Sequence, residues 1–266
     1  MNPDPRDLLP TEHALQLIDA DGHSVAGDDL KLPDEQTLLD LYRAMVVGRR
    51  FDAQATALTK QGRLAVYPSS RGQEACQIAA ALALQSRDGG WAAFDADNAY
   101  HYLNNIPFAD HGALLDPPTE DVTARCVSML AQLGDTPATS PAMARGIDYL
   151  RKTQRDDGSW YGRWGLNYVY GTWSVLCALN AAGVPAGDPM VRRASIWLQS
   201  IQNEDGGWGE SGDSYSLAYA GHEAFPSTAS QSAWALLALM AAGDIDTDAV
   251  RRGMTWLMET QTPQGD

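Results

Sequence analysis

Three glutamines in this chain of 266 residues are each followed, six positions later, by a tryptophan: Gln85 and Trp91, Gln154 and Trp160, Gln202 and Trp208. The stretches between them, "SRDGGW", "RDDGSW" and "NEDGGW", share an Asp-Gly turn, and a fourth copy opens at Gln261 with "TPQGD". Equal offsets with equal residue types mark an internal repeat. Such a repeat confines the fold to arrays in which each unit buries its apolar face against its neighbours.

Each glutamine closes an amphipathic stretch: "SPAMARGIDYLRKTQ", "DPMVRRASIWLQSIQ" and "DTDAVRRGMTWLMETQ". Asp or Ser at each start serves as an N-cap, and the glycine turn after the glutamine supplies the left-handed residue that ends a helix. Between these stretches lie others that are apolar almost all round: "DVTARCVSMLAQLG", "YGTWSVLCALNAAG" and "STASQSAWALLALMAAG". Such helices belong in an inner layer covered on both sides. The alternation predicts an all-α fold, a partial α/α barrel or toroid of inner and outer helices.

The texture differs before the first repeat. All eight tryptophans fall between Trp91 and Trp256. From Met1 to about Asp34 the chain is acidic and rich in Pro, Asp and Gly, as an extended or disordered arm would be. Helical periodicity begins after Asp34, an expected N-cap, with Leu38, Leu39, Leu41, Tyr42, Met45 and Val46 on one face. A "PSSRG" turn and a second apolar helix follow. The expected organisation is an arm over 1–34, a helical segment over 35–85, and an incomplete barrel over 86–266.

Composition narrows the partners. Hydrophobic content of 44% suffices for a packed core, and the net charge of −15 argues against nucleic acid and against an electrostatically held anionic membrane. Three scattered cysteines, Cys76, Cys126 and Cys177, fit neither a disulfide framework nor a metal cluster; reduced thiols of the cytoplasm are expected. The start, "MNPDPRDLLP", carries no secretory signal pattern, and "SAWALLALMAAG" is too short to span a bilayer.

The repeats resemble the QW motif of triterpene cyclases, and the segment from about Ser86 to Asp266 looks like squalene-hopene cyclase. "DGGWAAFDADN", "NNIPFADHG", "DPPTEDVTARC", "DGSWYGRWGLNYVYGTW" and "NEDGGWGES" stand in that family's order. The resemblance covers about two-thirds of this chain and about a third of a full cyclase. It implies part of the α/α barrel domain carrying the acid end of the cavity, with the Gln amide and Trp ring tying one helix end to the next helix start. The segment "LLDLYRAMVVGRRFDAQATALTKQGRLAVYPSSRGQEACQIAAALAL" resembles instead the N-terminal part of the alpha subunit of thiamine-dependent 2-oxoacid dehydrogenases. The Gly-Asp-Gly segment that holds magnesium and diphosphate in that family is absent. The two likenesses meet without a linker near Gln85, as in a chimeric or truncated reading frame.

Cyclisation of squalene begins with protonation of an alkene, a very weak base. The family uses a carboxylic acid in an Asp-x-Asp-Asp motif, made acidic by its neighbours. No such motif occurs here; "DADN" has only its outline, so Asp95 and Asp97 are expected to cap or order a loop rather than act as acids or metal ligands. Asp121 and Arg125 lie one helical turn apart. Either they form an intrahelical ion pair, or, as the resemblance implies, they position and polarise the acid. Arg125 stands where some relatives have His. The resemblance further implies that Trp164 and Tyr170 order water near the acid, and that Phe94 and Phe108 line the cavity and stabilise cations by cation–π attraction. Core packing is the competing reading for each aromatic. His13, His101, His111 and His222 lack metal or triad spacing, and Ser70 and Arg71 read as a helix-start turn more readily than as a phosphate site.

The leading expectation is a fragment of a metal- and cofactor-independent cyclase acting on squalene or a related polyprenyl substrate, inactive alone. Alternatives are a thiamine diphosphate-dependent 2-oxoacid dehydrogenase fragment and a non-catalytic α/α module that binds isoprenoids. Uncovered inner helices imply self-association. The family likeness implies peripheral membrane contact, at the inner face or from the cytoplasm.

Overall fold

A computed structural model describes residues 19–21, 23, 33–61, 84–94, 97, 115–215 and 221–262. The chain divides into two compact units, Met1–Glu74 and Ala75–Asp266. The second apolar helix expected after "PSSRG" lies outside the described residues, as does most of the expected arm.

In the first unit, α1 runs from Glu35 to Lys60. Asp34 caps it as expected, Oδ1 accepting from the Thr37 backbone N–H at 2.9 Å, and this bond holds the carboxyl below its usual range. The apolar face is largely uncovered, with Leu38, Leu39, Tyr42 and Val46 exposed. Ala44, Asp52 and Ala55 are buried instead.

The second unit is all-helical among its described residues, with only isolated β-bridges. Its helices are α2 (Glu120–Gln132), α3 (Pro141–Thr153), α4 (Tyr168–Ala181), α5 (Pro189–Ser200), α6 (Ala229–Ala241) and α7 (Asp248–Thr260), with a 3-10 turn at Gly212–Tyr215. Helices α2, α4 and α6 lie side by side as the inner layer, and α3, α5 and α7 cover them. The middle inner helix shows why its sequence is apolar: α4 is hemmed by α2, α6 and α5 and buries ten of its fourteen residues. Outer helix α7 buries only Ala249, Val250 and Gly253. The result is an arc of the two-layered toroid that the alternation implied.

The caps follow the sequence in two cases and depart in others. Ser140 and Asp188 accept from Met143 N–H and Met190 N–H, each followed by proline in the first turn. At α6 and α7 the caps are threonines, Thr228 and Thr247. The repeat glycines do not end the outer helices as expected. Helix α3 stops because Gln154 turns extended (φ −59°, ψ 126°), and the left-handed Gly158 (φ +99°) comes four residues later. A side chain at Gly158 would come within 2.7 Å of the Arg193 carbonyl, so the position requires glycine twice over.

Candidate functional site

The repeat residues form a seam. Gln154 Nε2 donates to the carbonyls of Gly158 and Met190, both at 2.9 Å. Gln85 does the same to Gly89 and Ala142 (2.7 and 2.8 Å), and Gln202 to Gly206 and Ala249 (2.7 and 2.8 Å). Ala142, Met190 and Ala249 are each the second residue of an outer helix. Each glutamine therefore joins its own glycine turn to the start of an outer helix; Gln154 and Gln202 link α3 to α5 and α5 to α7. Gln261 follows α7 with nearly the backbone angles of Gln154 (φ −62°, ψ 131°). Arg145 and Arg193 hold the glutamine oxygens of Gln85 and Gln154, whereas Arg252 turns to the carbonyls of Asn203 and Glu204.

The tryptophans anchor the seam to the inner layer. Trp91, Trp160 and Trp208 are buried, and their backbone N–H groups donate to hydroxyls on inner helices: Thr123, Thr172 and Ser232, at 2.9 to 3.0 Å. The indoles of Trp160 and Trp208 donate to the carbonyls of Leu150 and Leu198. These three hydroxyls were not singled out from the sequence; each is fully buried near the start of an inner helix, where a hydroxyl needs a partner.

A second cluster gathers where α2 and α4 begin. Asp121 is completely buried in the first turn of α2. Its carboxylate accepts from the Trp164 backbone N–H at 2.8 Å and from Val122 N–H at 3.0 Å. The intrahelical ion pair with Arg125 does not form. Arg125 Nη2 donates to the Tyr170 hydroxyl at 2.7 Å, and its guanidinium lies over the rings of Tyr170 and Trp173 at 5.7 and 5.9 Å. Tyr170 meets Trp234 edge-on, and Trp173 stacks on Trp234 with centroids 5.6 Å apart. Inner helices α2, α4 and α6 thus contribute one aromatic and cationic patch. Trp173 and Trp234 remain half-buried there.

The other aromatics sit at the margin. The Trp164 ring is about half exposed and meets Phe94 edge-on at 5.7 Å; Phe94 itself is mostly exposed. Phe108 lies outside the described residues. Asp97 orders a turn, as expected, accepting from Arg87 N–H at 3.1 Å; Asp95 lies outside the described residues. Among the described residues, one set, Asp19, Asp21 and His23 in the first unit, brings three potential ligand atoms within 4.8 Å of one another. Asp19 Oδ1 is already engaged by the backbone of Asp21 and His23.

Three carboxylates escaped sequence reasoning. Asp116 accepts from the backbone N–H groups of Ala93 and Phe94. Glu210, almost fully buried, accepts from the backbone at the start of α4. Glu120, beside Asp121, is pushed up to about 7, chiefly by burial and further by the Asp121 charge. Tyr215, whose hydroxyl donates to Gly162 and Gly165 carbonyls, is pushed up to about 12 by burial and then by Asp121 and Glu210. The signal for Glu210 was available: two positions after the repeat tryptophan it stands where the other copies have Ala93 and Gly162.

Residues 43–266 match the squalene-hopene cyclase C-terminal domain. The squalene-hopene cyclase of Bradyrhizobium diazoefficiens is 70% identical over 182 residues, 68% of this chain and 28% of that protein. A probable squalene-hopene cyclase of Sinorhizobium fredii is 60% identical over 222 residues, 84% of this chain and 33% of that protein. Among solved structures, an ent-copalyl diphosphate synthase from Streptomyces platensis is 21% identical with a TM-score of 0.49, over 80% of this chain and 35% of that one. The chain spans about a third or less of the length of these curated relatives. The match begins at residue 43, inside the segment likened above to a thiamine-dependent dehydrogenase, and that likeness gains no support. By its matched domain and its high-identity relatives, the chain belongs to the squalene-hopene cyclase family as a fragment bearing the family's C-terminal domain.

Proposed function

We propose that this segment forms one wall of a chamber for cationic polycyclisation of squalene or a related polyprenyl chain, at the end where the proton is delivered. The observation that carries the reading is the convergence of the buried Asp121 and Tyr170 with the exposed Arg125, beside the half-buried Trp173 and Trp234. A carbocation passing such rings is stabilised by their π faces without any metal or organic cofactor. In this reading, Asp121 and Arg125 support a proton donor, Trp164 and Tyr170 order water near it, and Phe94 and Phe108 line the pocket.

The chain supplies supports but no Asp-x-Asp-Asp donor. It is therefore inactive by itself, and the arm, helical segment and barrel part divide near residues 34 and 85. Self-association through uncovered apolar helices and peripheral contact with the inner membrane face, or a cytoplasmic location, belong to the same reading. No described helix is long and apolar enough to cross a membrane. The test is incubation of purified protein with squalene, followed by extraction and gas chromatography. No hopene is expected, while a squalene analogue should quench tryptophan emission saturably; clear turnover, or no binding at all, removes the proposal.

A further inference from the structure

Helix α4 begins without a cap of its own. Asn167 occupies the N-cap position, yet its side chain is used elsewhere: Nδ2 donates to the Ser214 carbonyl and hydroxyl at 3.2 and 3.3 Å, and Oδ1 accepts from Gly162 N–H at 3.3 Å. The backbone N–H groups of Asn167, Tyr168 and Val169 converge instead on the Glu210 carboxylate, each at 3.0 Å. Three orphan donors and the positive end of the helix dipole favour a negative charge there. Glu210 is only 2% exposed.

Glu210 is fixed in turn by the next inner helix. Its N–H donates to Gln231 Oε1 at 3.1 Å, and its carbonyl accepts from Gln231 Nε2 at 3.3 Å. Gln231 lies in the first turn of α6. Glu210 therefore struts the start of α4, through its carboxylate, against the start of α6, through its backbone. Tyr170, the residue after Val169, has little slack: side chains built at Gly165 and Gly162 would come within 2.5 and 2.7 Å of its ring.

We infer that Glu210 is a positioning residue that fixes the first turn of α4 so that the Tyr170 hydroxyl stays within reach of Arg125. The inference rests on the reading that Asp121, Arg125 and Tyr170 serve the proton-delivery end, and its test needs no turnover. Hydrogen exchange by NMR on the unsubstituted chain should find the amides of Asn167, Tyr168 and Val169 as protected as the middle of α4. Uncapped first-turn amides exchange freely, so free exchange at these three overturns the assignment.

In Glu210→Gln, one amide oxygen replaces two carboxylate oxygens and an NH2 group faces the donors. Exchange at these amides should rise at least roughly tenfold. With 13C-labelled tyrosine, the Tyr170 ring signal, identified through Tyr170→Phe, should move together with the Arg125 side-chain signal. Glu210→Asp keeps the charge on a shorter stem and should move the same signals less. Faster amides with an unmoved Tyr170 signal, in whichever of the two variants folds, reduce Glu210 to a stabilising cap and overturn the inference. Squalene-analogue binding reports separately: its failure removes the functional reading and leaves the Glu210 result standing.

Discussion

The ring of Trp91 lies against the backbone of Gly146, so closely that a methyl group built there would come within 2.7 Å of Cζ3. Trp208 and Gly253 repeat the relationship at 2.6 Å, and Ala194 takes the corresponding place in the middle repeat. In the first and third repeats the indole thus fits where the outer helix carries no side chain, whereas the middle repeat accommodates an alanine.

Gly146→Ala and Gly253→Ala should each destabilise the second unit by about 1–2 kcal/mol. Overpacking outweighs the better helix propensity of alanine. Urea unfolding followed by tryptophan fluorescence checks this; a gain in stability at both sites would show that the rings yield.

Gln154→Ala removes two donors from part-buried carbonyls of Gly158 and Met190 and should cost about 1–3 kcal/mol. Gln154→Glu should be worse above pH 6, because a carboxylate would then face those two oxygens. Thermal melts of the three proteins at pH 7 test the order; equal melting temperatures would mean the seam carries no load.

Glu120 should make folding pH-dependent. Its folded value is raised from 4.5 to about 7, so its contribution to stability is full below about 4.5 and is lost as pH rises through about 7. The loss is at most about 3 kcal/mol. Urea midpoints at pH 5 and pH 8 should differ in the original chain and converge in Glu120→Gln. An unchanged gap in the variant would assign the dependence to another group.

Burial pushes the Cys126 thiol up to about 12 and the Cys177 thiol up to about 11. In a Cys76→Ser background, iodoacetamide at pH 8 should label both far more slowly than a free thiol, because the thiolate is the nucleophile. Mass spectrometry follows the adducts, and prompt double labelling in the folded protein would contradict the packing described for α2 and α4.

What the sequence made legible was whatever a side chain announces by its own type. The Gln–Trp spacing, the apolar runs of α4 and α6, and the Ser140 and Asp188 caps all fall in that class. Main-chain partners announce nothing. Asp121 reads as a mate for Arg125 because they share a helix face, yet it binds the Trp164 N–H and leaves Arg125 to Tyr170. The cap of α4 was hidden for the same reason: Asn167 looks adequate, and its replacement by Glu210 comes from more than forty residues away. The exposed face of α1 shows the opposite failure, where periodicity promised burial that the described residues do not supply.

The acceptors on the outer helices, at Ala142, Met190 and Ala249, are carbonyl oxygens, which every amino acid carries. A fastening of this kind is blind to the side chain at its far end. Substituents there can drift in size and polarity without loosening the joint, provided the peptide group stays where it is. At that end, an inserted or deleted residue, by rotating the oxygen away, would unlatch one stave from the next.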